Sequence, residues 1–321
     1  MIVVTGAAGF IGSAMIAKLN RSGYQNVIAV DHFDRDDKNA NLTNLTISQF
    51  VNRDTFFQWL DDNHHAVKGI IHLGARTDTT EFNVAIFDKL NLNYSKQMWH
   101  SCTKYDIPLL YASSAATYGG GELGYSDNHE IVPSLKPLNP YGESKNNFDI
   151  WALSQTVTPP FWAGFKFFNV YGPNEYHKGR MASVVFHSFN QIKSSGEVKL
   201  FRSHRPDFED GMQLRDFVYV KDVTEVLFRM LETKKQSGLY NLGTGQARAF
   251  LHLSEATFAA LNLKPNISFI DTPIDIRDKY QYFTEADMAK LHNLNLGIEF
   301  TSLEDGVLDY VRNYLVNHLY L

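Results

Sequence analysis

The first twelve residues constrain the fold most. Met1-Ile2-Val3-Val4-Thr5 is a short β-branched apolar run halted by Gly6-Ala7-Ala8-Gly9-Phe10-Ile11-Gly12, after which Ile11, Ala14, Met15, Lys18 and Leu19 recur at helical spacing. Strand, tight turn and helix are expected in that order. Glycines in such a turn let the backbone approach a pyrophosphate closely, and the free amides and positive end of the helix favour its charge. A second apolar run, Asn26-Val27-Ile28-Ala29-Val30-Asp31, ends in an acid at about the 20-residue spacing of a ribose contact. Together these features point to nucleotide binding, since a turn that only packs a helix on a sheet leaves the acid unexplained. Asp31 favours NAD, whereas Lys38 and Arg53 are cations suited to a 2'-phosphate.

The next apolar run, residues 67–73, leads into Gly74-Ala75-Arg76-Thr77; residues 87–105 are patterned as a helix and lead into Pro108-Leu109-Leu110-Tyr111-Ala112. Strands alternating with helical segments predict a Rossmann-type α/β fold, a doubly wound parallel sheet with right-handed crossovers. The last run ends in Ser113-Ser114-Ala115-Ala116-Thr117-Tyr118-Gly119, with hydroxyls at the carboxyl edge of the sheet, where ligands of such folds bind. A chain of 321 residues buries a full core without staples, and its single cysteine, Cys102, excludes an intramolecular disulfide or multi-cysteine zinc site. No metal is expected. The formal net charge of −5, with no basic block, argues against a general nucleic-acid surface. The absence of a signal-peptide layout or of 18 consecutive apolar residues argues against export and membrane insertion, so a cytoplasmic protein is expected.

Pro140-Tyr141-Gly142-Glu143-Ser144-Lys145 carries the chemistry. Tyrosine and lysine four apart on a helix project from one face. A phenol has a reference pKa of about 10, and a neighbouring ammonium favours phenolate, so the pair is suited to exchanging a proton with an alcohol. Among 16 tyrosines Tyr141 is the only one with lysine four residues on, and such a pair also arises by chance, so its meaning rests on context. Pro140 suits the first turn of that helix and Asn139 its cap.

The Gly6 to Gly12 turn, His72-Leu73-Gly74-Ala75, the serine strand end, Tyr141 with Lys145, and Asn169-Val170-Tyr171-Gly172-Pro173 resemble, in that order, the extended short-chain dehydrogenase/reductases, the family of nucleotide-sugar epimerases and dehydratases. The likeness spans nearly the whole chain. It implies a catalytic set of Ser114, Tyr141 and Lys145: the serine bonds the reacting oxygen, the tyrosine exchanges its proton, and the lysine holds the nicotinamide ribose and lowers the tyrosine pKa. It implies cofactor contacts from Gly6, Gly9, Phe10, Ile11 and Gly12, from Asp31, His32, Lys38 and Arg53, from Leu73, Gly74, Ala75, Arg76 and Thr77, and from Asn91, Tyr141, Lys145, Val170 and Lys178. It also implies a mainly cofactor-binding domain over residues 1–170 and a smaller, mainly substrate-binding domain over 171–321, with later segments returning to the sheet.

Within the family, the run from Glu175 through Tyr176-His177-Lys178-Gly179-Arg180 to His187 is most similar to the branch that acts on ADP-heptose in making the lipopolysaccharide inner core. That branch inverts C6 of the heptose. The resemblance places Lys178 as a second acid/base and puts Arg180 and His187 near substrate, together with Ser114, Asn169, Phe201, Arg202, Ser203, His204, Arg215 and Tyr280. A structural pairing with Asp216 is the alternative for Arg215. The branch further implies NADP, one per subunit, with NAD as the alternative, and a homopentamer.

Chemistry gives a reason for two proton-handling groups. The carbon to be inverted has no adjacent carbonyl, so deprotonation is closed and transient oxidation to a ketone, with hydride return from a bound nicotinamide, is open. The oxygen ends in a different place, so one group on each side suits the geometry. Three departures from the family pattern stand out: Lys166 where arginine is usual, His32 where asparagine is common, and a long loop over residues 204–214. The rivals are a UDP-hexose 4-epimerase or a nucleotide-sugar dehydratase, both opposed by the Glu175 to His187 run and the dehydratase also by the lack of an acidic pair in Ala116-Thr117-Tyr118, and a non-catalytic cofactor-binding regulator. The closing pattern Leu303, Val307, Leu308, Val311, Leu315 predicts a helix with one apolar face.

Overall fold

The computed structural model describes residues 1–277 and 280–321, without the side chains of residues 275 and 276; Lys279 of the Lys279-Tyr280-Gln281 run lies outside the described residues. The strands are β1 (Ile2–Thr5), β2 (Val27–Asp31), β3 (Gln49–Asn52), β4 (Gly69–His72), β5 (Leu109–Ser114), β6 (Trp162–Phe167), β7 (Asn169–Tyr171), β8 (Val198–Phe201), β9 (Leu214–Tyr219), β10 (Gly238–Leu242), β11 (Ala247–Ala249) and β12 (Ile267–Ile270). Seven of them form one parallel sheet in the order β10-β6-β5-β4-β1-β2-β3. This is the doubly wound fold that the sequence predicts. The order reverses between β1 and β4, so the crevice at their carboxyl ends is the switch point of the sheet.

Alternation along the buried strands supplies two cores. Ile2, Val4, Ala29, Ile71 and Leu110 face one layer of helices, while Val3, Ile28, Val30, Ile70, Leu109 and Tyr111 face the other. Each such aliphatic side chain contributes about 1.5–3 kcal/mol when fully buried. No helix among the described residues is long and apolar enough to cross a membrane.

A second region is built on a three-stranded sheet, β11-β9-β7, and a two-stranded one, β12-β8. Its core joins Tyr171, Val185, Phe189, Phe217, Leu253 and Val307 with Phe10 of the first helix (Phe10–Arg21), which ties this region to the glycine turn. In the closing segment Leu303, Val307, Val311 and Leu315 are buried, but Leu308 is exposed. The buried set recurs every four residues, so Leu308, one position on, falls off the stripe; the helix Leu303–Tyr310 then widens into a π-helical turn over Val311–Leu315, which keeps that stripe inward.

The turn after β1 is tightly packed. Gly6 adopts φ +66°, and a Cβ on Gly12 would lie 2.0 Å from the Gly6 carbonyl oxygen. Helix and strand approach this closely only without a side chain there. Gly12→Ala should therefore destabilise the protein by about 3 kcal/mol, read as a lower denaturant midpoint at unchanged m-value.

Candidate active site

The helix Pro140–Leu153 brings the proton-handling pair to the edge of β5. Asn139 caps it, its Oδ1 accepting from the Gly142 amide at 2.8 Å, and Pro140 occupies the first turn. Lys145 is buried and donates to the Ala112 carbonyl at 2.8 Å. Burial pushes its pKa down to about 8, and the Asp149 carboxylate opposes that fall. Tyr141 is half-buried, with its ring 6.5 Å from that of Phe87. Its phenol lies above the ordinary value, first because of burial; the Ser114 hydroxyl beside it acts the other way. Ser114 itself ends β5, and its Oγ accepts from the Ala116 amide at 3.1 Å.

Around the switch point the residues expected to hold a dinucleotide fall into two groups. Gly6, Gly9, Phe10, Ile11 and Gly12 form the turn and the start of the first helix, whose N-terminus carries no side-chain cap and no acidic residue in its first turn. An anion fits there, because those first-turn amides lack partners along the helix. Leu73 and Gly74 follow β4, the Gly74 amide donating to Thr5 Oγ1 at 3.2 Å. His72, bonded to Thr5 Oγ1 at 2.6 Å and Ser95 Oγ at 3.0 Å, is pushed by burial to about 3 and so stays neutral.

Asp31 is buried and already satisfied: it accepts from the Ala8 amide at 3.1 Å, the His32 amide at 2.8 Å and Lys38 Nζ at 2.7 Å. Arg53 has a buried Nε without a hydrogen bond, 3.6 Å from Asp54 Oδ1, and the His32 ring lies 3.0 Å from Asp34. Ala75, Arg76 and Thr77 continue the loop after β4. There Asn91 is buried and its amide is consumed structurally: Oδ1 accepts from the Arg76 amide at 2.8 Å, and Nδ2 donates to the Arg76 carbonyl at 3.0 Å and to Ser144 Oγ at 2.9 Å. It staples this loop to the helix of Tyr141.

Lys178 lies beside the start of the first helix, its Nζ 5.0 Å from the Phe10 ring centre. Burial lowers its pKa and the Glu175 carboxylate opposes the shift. Glu175 is buried and accepts from the Ser183 amide at 2.6 Å and the Ser183 hydroxyl at 2.5 Å, which fixes this loop to the start of the helix Val184–Ser195. Asn169 and Val170 lie on β7; Arg180 is exposed, 3.5 Å from Asp78, and its carbonyl meets His187 Nε2 at 3.3 Å.

On the far side, Arg215 is buried, and it donates to the Leu214 carbonyl at 2.8 Å and to the Gln281 carbonyl. Its guanidinium stands 5.5 Å from the ring centres of both Phe250 and Tyr280. Among the described residues no carboxylate pairs with it, while Asp216 serves another turn, accepting from the amides of Thr244 at 2.7 Å, Gly245 at 2.9 Å and Ala286 at 3.1 Å. The Arg215–Asp216 pairing is not formed. Phe201 meets Tyr280 edge to face at 6.0 Å. Arg202 is exposed and 3.4 Å from Asp210, the Ser203 amide donates to Asp210 at 2.7 Å, and His204 Nε2 accepts from the Thr272 amide at 3.2 Å.

The sequence reading did not single out Asp149. It lies four residues after Lys145, fully buried, paired with Lys166 Nζ at 2.7 Å. The signal was available: an acid continuing the Tyr141, Lys145 spacing on an otherwise apolar face.

A model of the NAD dependent epimerase/dehydratase family matches residues 2–243, and the chain belongs to that family. It is 48% identical to the ADP-L-glycero-D-manno-heptose-6-epimerase of Fusobacterium nucleatum and 46% identical to that of Nitratidesulfovibrio vulgaris strain Hildenborough, in both cases over 98% of each chain. Two solved structures share the fold. The Helicobacter pylori ADP-L-glycero-D-manno-heptose-6-epimerase superposes with a TM-score of 0.80 at 24% identity, over 99% of this chain and 96% of that one. The UDP-N-acetylglucosamine 4-epimerase of Methanobrevibacter ruminantium superposes with 0.79 at 20% identity, over 99% and 98%.

A buried guanidinium without a carboxylate favours an anion. Arg215→Gln should raise the Kd for ADP by roughly 10- to 100-fold, the worth of a charge-assisted hydrogen bond or two, and leave dinucleotide affinity unchanged; calorimetry with each ligand checks both.

Proposed function

We propose that this chain interconverts ADP-D-glycero-β-D-manno-heptose and ADP-L-glycero-β-D-manno-heptose by inverting C6, a step in supplying the lipopolysaccharide inner core. The identity of 46–48% across nearly the whole chain to two heptose 6-epimerases carries this reading. The site supports it: Ser114, Tyr141 and Lys145 meet at the carboxyl edge of the sheet, and the glycine turn offers an open helix N-terminus for a dinucleotide.

A nicotinamide bound there would supply the reversible oxidation of C6 that the absence of an adjacent carbonyl demands. The chain's own residues do the rest. Ser114 holds the C6 oxygen, Tyr141 exchanges its proton on one face, Lys178 exchanges it on the other, and Lys145 holds the ribose. Arg215 and Tyr280 hold the diphosphate end, with Phe201, Arg202, Ser203 and His204 along the same wall and Arg180, His187 and Asn169 around the sugar. NADP is the cofactor this reading takes, because Lys38 neutralises Asp31 and Arg53 keeps an unbonded buried Nε. A cytoplasmic site of action and a homopentamer complete the proposal on family resemblance; the mass of the native particle tests the latter.

The test uses purified protein and ADP-D-glycero-β-D-manno-heptose in heavy water without added reductant, with C6 configuration followed by NMR. Conversion without deuterium entering C6 is expected, and reaction of UDP-galactose alone would overturn the substrate. Tyr141→Phe and Lys178→Met should each lower kcat by roughly 10²- to 10⁴-fold with dinucleotide still bound, and full activity in the lysine variant would remove the second proton-handling group. Lys38→Ala should reduce the preference for NADP over NAD by roughly tenfold, read from the two dissociation constants.

A further inference from the structure

Behind the Tyr141–Lys145 pair lies a cluster of buried polar groups to which neither the family match nor the named relatives give a role. Tyr141, Lys145 and Asp149 follow one another at four-residue spacing, so all three lie along one stripe of the helix Pro140–Leu153. The Asp149 carboxylate accepts from Ser113 Oγ at 2.6 Å, Tyr111 Oη at 3.2 Å and Lys166 Nζ at 2.7 Å. Lys166 is also fully buried, and it donates to Thr117 Oγ1 at 2.8 Å; Thr117 in turn donates to the Ser114 carbonyl at 2.8 Å. Ser114 is thus gripped on both sides, through Ser113 before it and Thr117 after it. Lys145 touches the same strand one residue earlier, at the Ala112 carbonyl.

The geometry points to Asp149, with Lys166 as its counter-ion, as the positioning residue that locks Ser114, Tyr141 and Lys145 into one unit and keeps Lys145 protonated for the reaction. This rests on the proposed proton-handling role of Tyr141 and Lys145. Asp149 touches neither substrate nor cofactor in this assignment and acts only through its neighbours.

The charges facing Lys145 make the second half specific. Asp149 on its own helix and His72 on β4 act on it electrostatically; Tyr141 shares its helix, Tyr111 and Lys166 lie on the neighbouring strands β5 and β6, and Tyr118 and His129 lie in the segments after β5. His72 is pushed by burial to about 3, and burial lowers His129 as well. The three phenols are all raised. Among the described residues, the Asp149 carboxylate is the group that holds the Lys145 pKa up against burial. Removing the carboxylate charge must let that pKa fall, so the active, protonated lysine is lost at lower pH.

The experiment compares kcat against pH for the parent, Asp149→Asn, and the double variant Asp149→Asn/Lys166→Met, all with cofactor bound and with ADP-D-glycero-β-D-manno-heptose as substrate. Asp149→Asn leaves a buried lysine unpaired and is at risk of misfolding; the double variant removes both charges and decides the matter in that case. In folded Asp149→Asn the alkaline limb of the profile should move to lower pH by about one unit, a tenfold loss on that limb, and in the folded double variant in the same direction but by less, because loss of the Lys166 cation offsets part of the change, while KM stays within about twofold. Lys166→Arg, which keeps the charge, should keep the parent limb. A folded double variant with the parent limb, whatever its rate, overturns the inference. Tyr141→Phe run alongside separates this from failure of the proposed chemistry: full turnover there removes the reading itself, whereas lost turnover with an unmoved limb removes only the role of Asp149.

Discussion

The helix that carries Tyr141 is held to the sheet by an ion pair from which water is excluded. Taking a carboxylate and an ammonium out of water costs several kcal/mol for each, and the cost is offset only where geometry is good and the remaining hydrogen-bonding capacity is filled. Both conditions hold here. Asp149 has three donors, and Lys166 adds Thr117 and the face of Tyr118, 5.2 Å from its ring centre, to its carboxylate partner. Losing either partner alone strands a charge, at about 3–5 kcal/mol. The helix therefore has one register against β5 and β6, where Ser113 stands opposite Lys166, and the placement of Tyr141 and Lys145 follows from it.

The cations Lys38, Lys166 and Arg215 differ in whether an acid accompanies them. Lys38 meets Asp31, and Lys166 meets Asp149, whereas Arg215 meets only carbonyls and aromatic faces among the described residues. The contrast follows from strand geometry. Arg215 and Asp216 are adjacent on β9, and successive side chains point to opposite faces, so neighbours in sequence cannot share one environment. Asp216 turns to the Asn241 to Gly245 turn, where it approaches so closely that a Cβ on Gly243 would lie 2.4 Å from its Oδ2. Arg215 turns to Tyr280 and Phe250, with no carboxylate beside it among the described residues.

What was legible in the sequence follows the same division between local and long-range causes. The glycine turn, the strands that feed it and the capped start of the Tyr141 helix are set by residues close in sequence, and the parallel sheet with its reversed order follows from their alternation. Pairings between distant segments were not legible. Asn91 was read as a cofactor contact; its amide also bonds Arg76 and Ser144, contacts that exist only once the loop after β4 lies beside the Tyr141 helix. Lys166 stood out only as a lysine in an arginine position, and nothing near it named Asp149 as its partner. The direction of the Tyr141 pKa was not legible either: helical spacing brings Lys145 to the same face, but burial, which the whole fold sets, moves the phenol up first.

That burial suits the two-group chemistry proposed for the site. Desolvation disfavours the charged form of any group, so it raises a phenol and lowers an ammonium. Tyr141 and Lys178 are moved in those opposite directions, each chiefly by burial. Both are thereby drawn toward neutrality, and a neutral phenol is a proton donor while a neutral amine is an acceptor. One turnover needs one of each: an acceptor as the alcohol is oxidised and a donor as the ketone is reduced from its other face. The reverse direction requires the opposite pairing, a phenolate with an ammonium, which Ser114 beside the phenol and Glu175 beside the lysine each favour. A site that inverts a carbon reversibly has to reach both states. In the proposed chemistry, burial pushes each group toward neutrality while its neighbour, Ser114 or Glu175, pushes it back.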